Sequence, residues 1–460
     1  MGRIAYADES LFTYLTSLMK PDGYTIGLIL GQSTEQKDFV VHLARTPPPA
    51  TKDVIEETLI SSTTTVHPES APKYIKSVND IQESWVADHA KHVTRMLPGG
   101  MWVLGLFIVG PKDILADGLT RLRSVILAIR KTLGSNEYLY GNNEQENLVL
   151  SCNSITRKYV CKSLDNQNNT FKPADWKFQS KAMKWHQLEV RIDFDQLFPV
   201  PTDTDPETLK TRLQGILEYT STTVNKAIIV IEGELRSGSD LVEMIGKKKQ
   251  DVKDKKNSED DSADSIDKAL QAVLYIPCPK TTSQDIKVIS CSESMRLVGQ
   301  LFSKTFVHER ASIDEATKAI KQDILRSLAS RLEMHWDSLI EEENGSPEDS
   351  ITLHEPPRRV LVALPQSKVT LSDYLFPGEG AQEALISLQE LLDLKVQENS
   401  VQKDLEFQVD PPEFYCQNDV DKASDHGKDP VDSNQLITYV AGLSIALFAL
   451  IVAFLIHHFS

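Results

Sequence analysis

The chain has 460 residues, 40% hydrophobic and 25% charged, which is enough apolar material for a folded body of two or three domains. Its net charge of −17 repels nucleic acid and anionic leaflet surfaces, so neither is expected as a partner through charge. The five cysteines (Cys152, Cys161, Cys278, Cys291 and Cys416) are widely spaced with no CxxC pair, which argues against a disulfide framework or a structural zinc site and for reduced thiols.

The opening MGRIAYADESLFTYL carries acids where a signal peptide would be apolar, and Tyr6 stands where a myristoylation motif needs Ser or Thr. Residues 9–19 read as a short helix. Thr25 to Gly31 (TIGLILG) and Phe39 to Arg45 (FVVHLAR) read as buried strands, the second closed by Pro47, Pro48 and Pro49. A polar loop follows. Ile81, Trp85, His89, His92 and Met96 then recur at helical spacing, which predicts a helix over 79–96 that Pro98-Gly99-Gly100 stops. Met101 to Val109 is a continuous apolar strand, and Ile114 to Leu133 an amphipathic helix ended by Gly134. Strands are predicted at 147–162 and 187–194, a helix near 206–223 and a strand at 226–235. Residues 246–267 are almost wholly charged or polar, the composition of a disordered insertion. Beyond it come strands at 269–276 and 285–291, a long helix from Ile313 to Glu343, a strand at Arg359–Leu364 and a helix at 380–396.

Five segments result: a first domain over 1–240, the insertion at 246–267, a second α/β part over 268–398, an acidic stalk over 399–435 and an apolar span over 436–456. From Leu436 to Ile456 the sequence LITYVAGLSIALFALIVAFLI contains no Asp, Glu, Lys, Arg or Pro. As a helix it would be about 31 Å long, close to the hydrocarbon thickness of a bilayer. A core helix of this length would show a polar face, whereas this one offers only Thr438, Ser444 and the small Gly442. Tyr439 suits the headgroup level. The expectation is a single C-terminal membrane anchor inserted after synthesis, with the body in the cytosol.

Chemistry is sparse. Asp88, His89 and His92 share a helix face, but no further ligands accompany them. No G-x-S-x-G, Walker A or GxGxxG motif is present, and no cysteine sits in a recognisable Cys/His setting. Two segments, TIGLILG…FVVHLARTPPP and the helix running into PGGMWVLGLFIVGP, together resemble the MPN domain, the fold of the JAMM metalloproteases. Gly105 and Pro111 match that family's Gly and Pro, while Ile108 and Gly110 fall where its two zinc-binding histidines belong. Tyr24 and Thr25 occupy the region of the catalytic acid, and Gly118 and Arg121 stand near where Ser and Asp are expected. Neither Ile nor Gly can ligate zinc, so the resemblance implies a mixed α+β, MPN-like pseudo-enzyme without metal, cofactor or catalytic residues.

The whole arrangement is more specific. The MGR start, GLILGQ, RMLPGG, the apolar strand, the charged insertion and the C-terminal span occur in the order of the odorant-response-abnormal family, which this chain resembles nearly end to end. That resemblance implies a tail-anchored protein of the endoplasmic reticulum or vesicles that assists folding and export of chemoreceptors. It also implies that a protease specific for the ubiquitin-fold modifier is held at the membrane by the anchored chain. The expected function is a non-enzymatic adaptor whose partners are the membrane, this protease and client receptors. The rival is a divergent membrane-anchored isopeptidase or hydrolase using His89 and His92 with a Cys or Asp. Candidate docking segments are Leu371–Phe376 and the helix around Leu328–Trp336.

The sequons at Asn168 and Asn344 test the topology: with a cytosolic body both remain unmodified, and endoglycosidase treatment of the full chain leaves its mobility unchanged.

Overall fold

The computed structural model describes residues 2–21, 23–48, 75–141, 144–201, 208–245, 269–277, 290–342, 353–365 and 367–406. The expected insertion at 246–267, Asn344, the stalk from residue 407 and the apolar span from Leu436 to Ile456 all lie outside them. Among the described residues no helix is long and apolar enough to cross a membrane. Residues Met1–Gln408 form one compact unit.

The first layer is a closed seven-stranded barrel of order β1-β3-β2-β4-β5-β6-β7. Its strands are β1 (Ile4–Asp8), β2 (Thr25–Ser33), β3 (Lys37–Arg45), β4 (Trp102–Gly110), β5 (Asn147–Asn153), β6 (Tyr159–Leu164) and β7 (Phe171–Gln179). Side chains alternate across each strand, and the two faces belong to two apolar clusters. One cluster draws on all seven strands, including Ala5, Ile29, Leu43, Phe107, Leu150, Cys161 and Trp176, and is joined by Leu11 and Leu15 of α1 (Glu9–Ser17). The alternate residues Leu28, Leu30, Leu106 and Ile108 pack instead with Val86 and Val93 of α2 (Glu83–Met96). A short α3 (Ile114–Asp117) leads into α4 (Leu119–Leu133), whose Leu122 and Ile126 complete that layer. Apolar side chains on both faces explain why TIGLILG and MWVLGLFIV read as unbroken apolar runs.

The second layer is a five-stranded sheet of order β12-β11-β8-β10-β9. A long antiparallel pair, β8 (Trp185–Pro201) with β11 (Cys291–His308), is flanked by β9 (Ile228–Ile231), β10 (Leu270–Tyr275) and β12 (Leu353–His354). Two helices, α5 (Leu209–Lys226) and α6 (Ile313–Glu342), pack together, and α6 lies on β11 and β8. A third, three-stranded sheet orders β14 (Thr370–Leu375), β13 (Arg358–Ala363) and β15 (Val401–Gln402), with α7 (Ala381–Leu392) packed on β14 and on β3 of the barrel.

The fabric divides elsewhere than the expected limits of 240 and 268. The barrel ends with β7 at Gln179, and β8 pairs with β10 and β11 from beyond the charged insertion. Sheet pairing, not chain continuity, groups the second layer. The stalk also begins later than 399, because β15 pairs with β13 through Val401 and Gln402, and Glu406 is buried.

Glu406 is one of two buried acids that join the layers. The Gly99 N–H donates to Asp323 Oδ1 on α6 at 2.8 Å, and the Gly100 N–H donates to Gln322 Oε1 at 2.8 Å. A Cβ on Gly99 would lie 2.0 Å from the Ala319 carbonyl oxygen, so only glycine lets the turn before β4 approach α6 this closely. Arg359 of β13 grips both oxygens of Asp323, Nη1 to Oδ2 at 2.7 Å and Nη2 to Oδ1 at 2.9 Å. Glu406 accepts two bonds from Arg331 of α6 and one each from the backbone N–H groups of Phe302 and Arg359. The Phe302 carbonyl takes Arg359 Nη1 at 3.1 Å, and the Gln300 carbonyl takes Arg331 Nη1 at 3.2 Å. Arginine and glutamate side chains thus pair polar groups of Gln300 and Phe302 on the edge of β11 opposite β8, where among the described residues no strand pairs with them.

Arg359→Met should therefore cost about 3–5 kcal/mol in urea unfolding, because it leaves the Asp323 carboxylate buried without its cation. Ending the chain after Gln408 should leave the unfolding midpoint of the body unchanged, whereas ending it after Ser400 should lower it by removing β15 and Glu406.

Candidate functional site

The region where the MPN resemblance places metal chemistry is packed with side chains. Ile108 is fully buried and pairs with Ile26 across β2 and β4. Gly110 closes β4 beneath the Tyr24 ring: a Cβ there would lie 2.1 Å from a ring carbon, so any larger residue displaces the tyrosine. Tyr24 is held in turn by its backbone N–H, which donates to the Ile75 carbonyl at 2.9 Å. Arg121 is spent on structure, its guanidinium donating to the Ile81 carbonyl and pairing with Glu83 at 2.8 Å. The aromatic ring thus occupies the space next to one position, and a β-branched aliphatic fills the other.

His89 and His92 part company. His89 is buried on the core face of α2, whereas His92 is exposed. His89 Nε2 lies 2.7 Å from the Leu391 carbonyl and Nδ1 lies 3.1 Å from Thr46 Oγ1. The consistent arrangement is a neutral ring donating from Nε2 and accepting the Thr46 hydroxyl at Nδ1. Burial pushes the pKa of His89 down to about 4, against the pull of the Leu391 carbonyl. His42 of β3 repeats the device: its Nε2 lies 2.8 Å from the Leu392 carbonyl, and burial lowers its pKa too. Two buried imidazoles therefore cap the last turn of α7. The residue after them, Asp393, has a left-handed backbone with φ of 55°, accepts the Tyr14 hydroxyl at 2.9 Å and pairs with Arg45 at 3.3 Å.

Other candidate groups are likewise absorbed. Burial raises the Cys152 thiol to about 11 and pushes Cys161 up as well, so both rest in the protonated, weakly nucleophilic form. Among the described residues no three His, Cys, Asp or Glu side chains are grouped to hold a metal. Leu371–Phe376 coincides with β14, whose Leu371 and Leu375 are core, and Leu328 and Leu332 of α6 are core as well. Phe376, Met334 and Trp336 in the same segments are half-buried.

Sequence reasoning did not find the cluster of Asp323, Arg359, Arg331 and Glu406, or Arg326. The last is fully buried, donates from Nη1 to the carbonyls of Leu97, Pro98 and Met101 at 3.0–3.2 Å, and lies 5.3 Å from the Trp102 ring centroid. Burial lowers its pKa to about 10. The one available signal was a run of basic and acidic residues at core spacing in α6, which has no meaning until α6 has neighbours.

The family model described as "ODR4-like: Odorant response abnormal 4-like" matches residues 27–403. The human "Protein odr-4 homolog" is 27% identical over 478 residues, covering 100% of both chains. The Caenorhabditis elegans "Odorant response abnormal protein 4" is 24% identical over 354 residues, covering 73% of this chain and 68% of its own length. A solved structure described as "Crystal structure of UfSP from C. elegans" aligns with a TM-score of 0.41 at 10% identity, covering 86% of this chain and 57% of that one.

Because His89 is held neutral, stability should be complete above the unfolded-state pKa of about 6.5 and be lost as pH falls toward 4, with His89 contributing up to about 3 kcal/mol. His89→Gln, which keeps a donor for the Leu391 carbonyl, should flatten that loss by roughly one proton in urea titrations at successive pH values. Equilibrium dialysis with zinc should give the same result for wild type and for the double variant His89→Gln/His92→Gln.

Proposed function

The chain belongs to the ODR4-like family, and from this we infer that it assists the trafficking of membrane receptors, chemoreceptors among them. We propose that it does so as a non-enzymatic, membrane-tethered adaptor. The observation that carries this reading is the packing at Ile108, Gly110 and Tyr24, which fills with aliphatic and aromatic groups the positions an MPN metalloprotease gives to metal ligands. The engagement of both His89 nitrogens supports it.

In this reading residues 436–456 anchor the chain in the reticulum or vesicle membrane, and the body faces the cytosol. The partner held there is a protease specific for the ubiquitin-fold modifier, as the family resemblance implies, and the clients are receptors in the same membrane. Glu406, clamped by Arg331, holds the last described residue against the body. The acidic segment from 407 to 435, acting as a coil, would have a root-mean-square reach of about 30 Å. A partner bound to the body would then meet membrane clients at an effective concentration far above its cytosolic one.

Deleting 436–456 tests this. Co-precipitation of the partner protease should persist while the complex moves to the soluble fraction, and surface delivery of a client receptor should fall to the level seen without the chain. A tail-less chain that still delivers the receptor would overturn the tether.

A further inference from the structure

A cleft of about 720 Å³ opens between the two layers, away from the positions discussed above. One wall is α6, which contributes Lys318, Lys321 and Leu325. The facing wall is the connection from α4 to β5, which contributes Glu137, Tyr138 and Glu144. Trp102, the first residue of β4, lines it as well. The volume lies within the range of ligand sites.

The two walls carry opposite charge. Lys321 is half-buried, and its Nζ donates to the Asn225 carbonyl at 2.8 Å. Among the described residues no carboxylate lies within ion-pair distance of it, and Asp314 acts on it only from farther off. Lys318 pairs with Asp314 at 2.8 Å and feels the charge of Glu144. Glu137 and Glu144 are exposed on the opposite rim. Half-buried Trp102 and Tyr138 and buried Leu325 give the cleft an apolar component. Trp102 is fixed in place, with Arg326 over its ring and the Gly141 backbone against it.

We propose that this cleft binds an extended peptide segment in which an acidic residue reaches Lys321, a neighbouring aromatic or aliphatic residue lies on Trp102 and Tyr138, and a basic residue meets Glu144. The charge pattern selects this class. A polyphosphate or nucleotide would gain from the lysines but would face Glu137 and Glu144, and the cleft presents helix flanks, not the helix N-termini that bind phosphate. A peptide carries both signs and an apolar group in one chain. The proposal stands apart from the membrane reading and survives if that reading fails.

The test is selection of a phage-displayed random dodecapeptide library on the detergent-solubilised full-length chain. The expected result is enrichment of sequences that place Asp or Glu beside an aromatic or aliphatic residue, with Lys or Arg a few positions away. K321E should lower recovery of these sequences by about tenfold, the worth of one partly buried charge-assisted hydrogen bond. It should also select a new set with the acid replaced by a base. K321Q should lower recovery without that reversal, and unchanged thermal unfolding of both variants shows that the fold is intact. Failure of any peptide to enrich, or enrichment indifferent to both Lys321 variants, would overturn the proposal. So would sodium tripolyphosphate binding in a Lys321-dependent way while no peptide enriches.

Discussion

The organisation of this molecule depends on one buried carboxylate. Asp323 sits about a third of the way along α6 and receives the Gly99 amide from the turn before β4 and the Arg359 guanidinium from the third sheet. A buried carboxylate is tolerated only when its charge is matched and its lone pairs are filled, and three chain segments far apart in sequence must converge to do this. The same strand, β13, begins beside Glu406, whose oxygens are filled by Arg331 and two backbone amides. These two acids tie together the barrel, the helix-covered sheet and the small C-terminal sheet, on the edge of β11 opposite β8.

The histidines of α2 and β3 serve the same end. His89 and His42 spend their Nε2 donors on successive carbonyls at the end of α7, binding that helix to the barrel side. The His42 and His89 imidazoles, the buried Cys152 and Cys161 thiols and the Tyr24 ring over Gly110 are all taken up in packing. The cleft between α6 and the α4–β5 connection has polar side chains on both of these sides, Lys318 and Lys321 on one and Glu137 and Glu144 on the other.

The readable parts of the fold were those whose signal is local. β2, β3 and β4 announced themselves as apolar runs, and α2, α4 and α6 by helical spacing, because each carries the stripe it buries. β1 and β7 did not. β1 is five residues long and is paired in parallel on both sides, with β3 and β7, so nothing near it in sequence records its neighbours. In β7, FKPADWKFQ buries only Trp176 while the other described side chains are half-buried or exposed, a composition that reads as loop. Most of β11 was passed over because Ser, Thr and Lys occupy several positions that burial and cross-strand pairing later make suitable for a strand. The start of the stalk was misplaced for a similar reason: Glu406 reads as solvated acid until Arg331, 75 residues away, is brought against it.

At the candidate site, the absence of metal ligands at Ile108 and Gly110 was legible as residue identity, but the tyrosine that fills the space was not, since Tyr24 registered only as a missing acid. His89 read only as sharing a helix face with Asp88 and His92; its burial follows from the docking of α7, which periodicity within α2 cannot encode. In the function proposed above, residues 436–456 contribute placement at a membrane, and their particular sequence does not matter. The most direct measurement of this is receptor surface delivery by a chain in which residues 436–456 are replaced by an unrelated single span directed to the same membrane. The account predicts delivery equal to the native chain; failure of the exchanged anchor, with the body folded and correctly located, would contradict it.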